Sequence, residues 1–454
     1  MKHRVTRVPT REPGSGLLHW IFPAMLCVGA LDVLLIGRDL TQQFASLMSV
    51  AETPRHPVMP WVQRAVSVFL LVAALQQIVR HLAARRPIPS ATLLISFVAF
   101  WIGTVGLTAL FAANPLISHE YVYSLVVGVA ICLVGVQERE RIQRTARDAL
   151  FVLMLVGLLL IPLKTTMVLD TSYTQGLIPG LPRFGGVTAH PVTQGMLAQV
   201  ALLVLWCVPY QRRWLNVAAW VIGLGVLFIA QSKTAWTAFA ACAMVLLLVR
   251  NAGPFWRRVS DPRTGSAGGV LVCLLAGLFV LGFTLWVLLG DPMGRAQDFA
   301  STREGAQLMS LTGRDRIWEV AMSEWRLNPT FGYGLSLWDS SYRAAINMPN
   351  ATHAHNQFLD DLARSGSVGA TTLVIYAAVL LAIALRSARA SGGLSLALFV
   401  AIALRSVSEV PLSLMGYGTE LFTHLLLLAT LAAASAQRRA VPRRAPMPFG
   451  VASS

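Results

Sequence analysis

Apolar residues in this chain run in blocks about as long as a bilayer is thick, and that limits its possible folds more than any motif does. Residues 61–79, 88–112 and 368–385 are three such blocks. A helix that crosses a membrane needs about 20 mainly apolar residues. Lipid offers the backbone no hydrogen-bond partner, so a spanning segment must be a helix or a strand of a closed barrel. The blocks lack the apolar–polar alternation of barrel strands. Composition agrees: of 454 residues, 55% are hydrophobic and 13% charged, about half the charge of an ordinary soluble domain. The expected fold is an all-α polytopic membrane bundle.

The length criterion gives about twelve spans. They cover residues 17–37, 61–79, 88–112, 121–136, 149–168, 191–208, 215–230, 235–249, 269–290, 368–385, 394–403 and 421–434. The first follows a basic stretch, as in a signal peptide, but lacks a clear cleavage site and reads as a retained helix. The net charge of +16 would suit nucleic acid. Its Lys and Arg residues, however, gather in short segments between blocks: 80–87, 137–148, 211–213, 250–268, 386–392 and both termini. The positive-inside rule makes that side cytoplasmic and argues against a nucleic-acid groove. Segments 38–60, 113–120, 169–190, 231–234, 291–367 and 404–420 then face outward. Three regions are expected: 1–290 with nine spans and a basic cytoplasmic N-terminus, 291–367 as one large periplasmic loop, and 368–454 with three spans and a basic tail. Cys27, Cys132, Cys207, Cys242 and Cys273 lie inside apolar blocks and read as packing residues.

Within 291–367 helical order returns. Thr312 with Asp315 resembles a helix cap. Ile317, Trp318, Ala321, Met322 and Trp325 follow on one apolar face, which would suit a helix along the membrane surface. Asn328-Pro329 ends it, and Gly332-Tyr333-Gly334 marks a turn. A second helix is expected from near Thr352, carrying His353, His355, Leu359 and Leu362 toward Gly366.

Four pieces stand here in order: Thr312-Gly313-Arg314-x-x-Ile317-Trp318, Asn328-Pro329-x-x-Gly332-Tyr333-Gly334, His353-Ala354-His355-Asn356, and Gly366-x-x-Gly369. Together with Arg183-Phe184-Gly185-Gly186, His190-Pro191 and Ser232-Lys233-Thr234, this pattern resembles the O-antigen ligase and Wzy-type polymerase superfamily. Lys233 stands where ligases commonly carry Arg. That departure, with the wording of the first two pieces, is more similar to exopolysaccharide polymerases of the ExoQ kind.

The resemblance implies a glycosyltransferase of GT-C-like architecture that needs no metal or other cofactor. Its donor would be a glycan on undecaprenyl diphosphate, joined to an acceptor glycan at the periplasmic face of the bacterial inner membrane, in exopolysaccharide or lipopolysaccharide synthesis. His355 and Arg314 are the implied catalytic pair. Arg183, Lys233, His353, Asn356 and Trp318 are the implied substrate-binding residues. Fixed cations stabilise a departing diphosphate, and a histidine suits removal of a proton from a sugar hydroxyl. A chain-length regulator and a flippase are the further partners such a polymerase would use.

Each residue also has a plainer reading. His355 could cap a helix, Arg314 and Arg183 could be solvated or snorkelling cations, Lys233 could anchor a tight turn, and His190 could cap the sixth span. Trp318 could belong to the interfacial aromatic belt. Other functions remain open beside polymerisation: ligation of the glycan to lipid A-core, transport or flipping, and a structural or sensory role. Sparse intramembrane charge argues against transport.

Overall fold

The computed structural model describes residues 16–41, 56–172, 180–260, 314–349 and 351–440. The expected ninth span, Cys273 and the Thr312-Gly313 pair lie outside the described residues. The described chain is mostly helix: α1 (Ile21–Ile36), α2 (Met59–Ala83), α3 (Ala91–Trp101), α4 (His119–Cys132), α5 (Val136–Leu159), α6 (Pro191–Cys207), α7 (Arg213–Ile229), α8 (Lys233–Ser260), α9 (Arg314–Leu327), α10 (Ser340–Ala345), α11 (Gln357–Ser387), α12 (Leu394–Ser406) and α13 (Thr419–Ala440). A 3-10 turn, Leu17–Trp20, leads into α1. A π-helical turn, Ile102–Gly106, extends α3 to Phe111.

Six of these stretches are long and apolar enough to cross a membrane: Leu17–Ile36, Met59–Ala83, Ala91–Phe111, Lys233–Asn251, Gln357–Ser387 and Thr419–Ala440. Four more are apolar but shorter, within α4, α6, α7 and α12. The last helix is the most enclosed. Of its apolar window 83% is buried, against 44% or less for the other five. Apart from Thr430 it is apolar on every side from Leu425 to Ala434, as suits a helix at the centre of a bundle, and it packs against α1, α3, α4, α5, α6, α11 and α12.

Three local expectations need correction. The chain is not purely helical: β1 (Leu169–Asp170) and β2 (Arg183–Phe184) form a short antiparallel ladder, a pairing too brief to leave a sequence period. Residues 137–148, expected as a loop before a span at 149–168, are the first half of α5, which ends at Leu159. Glu, Gln and Arg are good helix formers, and Glu140 and Arg144 pair one turn apart along it. The helix expected from Thr352 starts instead at Gln357, with Asn356 as its cap, so His353 and His355 sit in the loop before it. The expected helix toward Gly366 and the expected span from residue 368 meet inside α11 at a kink at Gly366.

That kink positions the site. Gly366 has φ +65°, and a Cβ there would lie 2.3 Å from the Thr330 carbonyl oxygen. Gly332 has φ +72°, and a Cβ there would lie 2.4 Å from the Arg364 carbonyl carbon. Only glycine fits such a left-handed, close-packed backbone. Tyr333 N and Gly334 N donate to Ala363 O and Arg364 O, and Asn114 N donates to Tyr333 O. The Gly-Tyr-Gly turn is thereby clamped between α11 and the turn after α3. Helix α9 packs on α11, burying Ile317 and Ala321; Trp325 Nε1 donates to Ser367 Oγ at 3.1 Å.

Candidate functional site

Arg314 is the first residue of α9. Its guanidinium donates to the Ser408 carbonyl at 3.1 Å and stands 3.8 Å from Glu409 Oε1. Arg316, two residues on, is exposed. Helical rotation separates the two, so one arginine enters the site and the other faces away.

His353 and His355 approach the other oxygen of the same carboxylate. His353 Nε2 and His355 Nδ1 each lie 3.4 Å from Glu409 Oε2, and the two rings are 4.1 Å apart. His355 adopts φ +49°, a left-handed conformation rare outside glycine. Neighbouring bonds hold the loop in that shape. His355 N donates to His353 Nδ1 at 3.1 Å, Ala354 N donates to Asp360 Oδ1 at 2.8 Å, and Trp318 Nε1 donates to Ala354 O at 2.9 Å. Asp360 also takes Trp338 Nε1 at 3.0 Å and pairs with Arg364 at 2.9 Å.

Charge follows from this packing. Burial, reinforced by the neighbouring His355, pushes His353 down to about 4, so its ring is neutral at neutral pH. Burial pushes Glu409 upward, but His355, His353 and Arg314 outweigh it and hold the carboxyl below its usual range. The donor atoms of His353, His355 and Glu409 lie within 4.8 Å of one another, close enough for a cation to bridge. Arg314 already brings positive charge to that carboxylate.

Arg183 lies in β2, buried, with Nε donating to Ala230 O at 3.0 Å. Gln231 Nε2 donates to Leu181 O at 2.8 Å, which fastens this segment to the turn before α8. Lys233 opens α8 with its side chain exposed. His190 caps α6, its Nδ1 accepting from Val192 N at 3.0 Å. Burial pushes it down to about 4, helped by Arg183 and opposed by Glu409. His190 therefore stands within electrostatic reach of both groups of residues.

The structure thus brings Arg314, His353 and His355 onto one carboxylate and sets Arg183 and Lys233 around a neighbouring turn. It gives two expected binding residues structural contacts: Asn356 Oδ1 caps α11 through Leu359 N at 3.1 Å, and Trp318 latches the histidine loop. Glu409 escaped the sequence reading. The signal available was one of two carboxylates, with Glu420, in the short outward segment 404–420. Beside the site, Met322, Trp325, Phe358, Leu362 and Val374 line an apolar groove of about 530 Å³ between α9 and α11.

This arrangement of cation, imidazoles and carboxylate lies largely within one recognisable stretch. Residues 217–374 match the O-antigen ligase family. The match bears out the O-antigen ligase and Wzy-type resemblance. It covers less than half of the chain and includes Lys233, Arg314, Trp318, His353, His355 and Asn356. Arg183, His190 and Glu409 lie outside it. O-antigen ligase family members are glycosyltransferase-like enzymes, ligases and polymerases that use lipid-linked glycans. Among curated proteins, none matches the chain.

Proposed function

We propose that the protein polymerises undecaprenyl-diphosphate-linked oligosaccharide repeat units at the periplasmic face of the bacterial inner membrane, with the segment 291–367 on that face. The observation that carries this reading is the convergence of Arg314, His353 and His355 on Glu409 inside and beside the O-antigen ligase match. In the proposed step, His355 takes the proton of an acceptor sugar hydroxyl. The hydroxyl oxygen bonds to the anomeric carbon of the donor, and the bond from that carbon to the phosphate oxygen breaks with its electron pair leaving on the diphosphate. Arg314 supplies positive charge toward that leaving group, with Lys233 and Arg183 as further cations around the neighbouring turn. The apolar groove between α9 and α11 supports a lipid-borne donor, since it adjoins the helix that begins with Arg314 and the helix that follows His355.

The proposed chemistry uses no metal, because Arg314 holds the positive charge that a cation at Glu409 would otherwise supply. Lys233 stands where ligases commonly carry Arg, and it is on this resemblance that polymerase is preferred over ligase. Chain-length and flipping partners would follow from a polymerase role.

The test is His355→Ala expressed in place of the native chain. A general base contributes about 100- to 10,000-fold, so glycan joining should fall by that order while protein level and membrane insertion stay normal. Gel analysis separates the two family activities. A polymerase defect leaves single repeat units on the lipid carrier, and a ligase defect leaves long polymer absent from lipid A-core. Normal polymer length and yield in the variant would reject this assignment.

A further inference from the structure

The carboxylate of Glu409 makes contacts that bear on the protonation of both histidines. His353 Nδ1 accepts the His355 backbone N–H at 3.1 Å. A neutral imidazole carries one proton, so in His353 that proton is on Nε2, the nitrogen that faces Glu409 Oε2 at 3.4 Å. His355 turns its Nδ1 to the same oxygen at 3.4 Å. That Nδ1 is enclosed and has no hydrogen bond of good geometry among the described residues; Glu409 is the group placed to satisfy it. A proton held on Nδ1 leaves Nε2 of His355 as the unprotonated, basic nitrogen.

Glu409 is itself held from several directions. Arg314 approaches Oε1 and also binds the Ser408 carbonyl. Asn356 Nδ2 reaches the Val407 carbonyl at 3.5 Å, and Leu412 N donates to Gln357 Oε1 at 2.8 Å. The turn that carries Glu409 is stitched to both α9 and the start of α11. A base oriented by a third, fixed group is the arrangement that nucleophile-activating sites share.

We propose that Glu409 is a positioning residue, which fixes the orientation and tautomer of His355 and stabilises the imidazolium formed when that histidine accepts the acceptor proton. This role rests on the reading of His355 as the base. It adds a residue from the turn after α12, outside the matched stretch.

The experiment compares native protein with Glu409→Gln, Glu409→Asp and His355→Ala, purified and supplied with lipid-linked glycan. Rates are measured across about pH 5 to 9, together with KM for the donor, folded yield, and metal content with and without chelator. Glu409→Gln should lower kcat roughly 10- to 100-fold, the usual cost of losing a group that orients a functional histidine, with donor KM little changed. Its acid limb should move to lower pH, because an imidazolium without its carboxylate loses its proton more readily. Arg314, Arg405, His353 and His190 also face this carboxylate and are unchanged in both variants. Glu409→Asp keeps the charge and should recover part of the rate and the native limb; it also serves if Glu409→Gln fails to fold.

A Glu409→Gln rate within about twofold of native would overturn the proposal, as would a raised donor KM at native kcat, which would mean that Glu409 acts through Arg314. A stoichiometric metal ion lost with Glu409, with activity lost to chelator, would also overturn it, because the cluster would then be a metal centre. If His355→Ala stays active, the base assignment itself fails. If His355→Ala is inactive while Glu409→Gln is native-like, only the present inference fails.

Discussion

Arg314 and Arg316 differ by two positions on one helix, yet only Arg314 reaches the carboxylate of Glu409. The difference is a matter of helical rotation, and it makes the arginine side chain testable by itself. Arg314→Lys keeps the charge but loses the planar donor fork. It should lower the joining rate at least about tenfold, since a charged hydrogen bond in such a site contributes roughly 1.5–3 kcal/mol. Activity at native level in membranes carrying Arg314→Lys would show that charge alone suffices. His353 belongs to the same residue-scale argument through pH. Its folded value of about 4 lies below the unfolded 6.5, so the unfolded chain binds the extra proton first. This histidine therefore lowers stability as pH falls from about 6.5 through about 4. His353→Asn should flatten the loss of thermal stability over that window, measured by unfolding in detergent; an unchanged slope would assign the acid sensitivity elsewhere.

At the scale of elements, the site depends on a kinked helix more than on any one side chain. Helix α11 starts at the Asn356 cap, carries Asp360 back to the histidine loop, and bends at Gly366 where the 329–334 segment crosses it. Gly366→Ala would place a Cβ against Thr330 O and Phe331 N and hold alanine at φ +65°. Strain of this kind costs about 1–3 kcal/mol before the clash is counted. The variant should unfold at lower temperature and lose joining activity. Gly225→Ala is the control, because a Cβ there meets nothing within 4 Å. Equal melting of the two variants would refute the structural importance of the kink.

At the scale of the whole molecule, the proposal requires α9, α10 and the histidine loop to share the outward side of the membrane. Ser340 opens α10 and is exposed. A single cysteine at Ser340, with the native cysteines replaced, should react with an impermeant thiol reagent in intact spheroplasts. Labelling only after lysis would put the site on the cytoplasmic side, contrary to the distribution of Arg. The buried last helix gives the molecule its frame: the turn carrying Glu409 lies between α12 and this central helix, so the carboxylate is carried by the bundle itself and not by the 314–355 segment.

Sequence alone was enough for the membrane bundle, because lipid leaves an apolar run of about 20 residues hardly any alternative to a helix. It also singled out Arg314, His353 and His355 as candidates through the resemblance, and the structure brings the three onto one carboxylate. Boundaries were less legible where charge and helix coincide: the Arg- and Glu-rich start of α5 looks like a loop by hydropathy, yet these residues favour helix. The loop position of the two histidines follows from a local cap, Asn356 accepting from Leu359 N, whereas the kink at Gly366 was hidden because it depends on backbone contacts with the distant 329–334 segment. Glu409 was decided by tertiary structure alone. A single carboxylate in a short turn has no period and no motif; it acquires meaning when the packing of α12 and α13 carries that turn to Arg314 and the histidine pair, and a fixed charge gains its effect from what the fold places within a few ångströms of it.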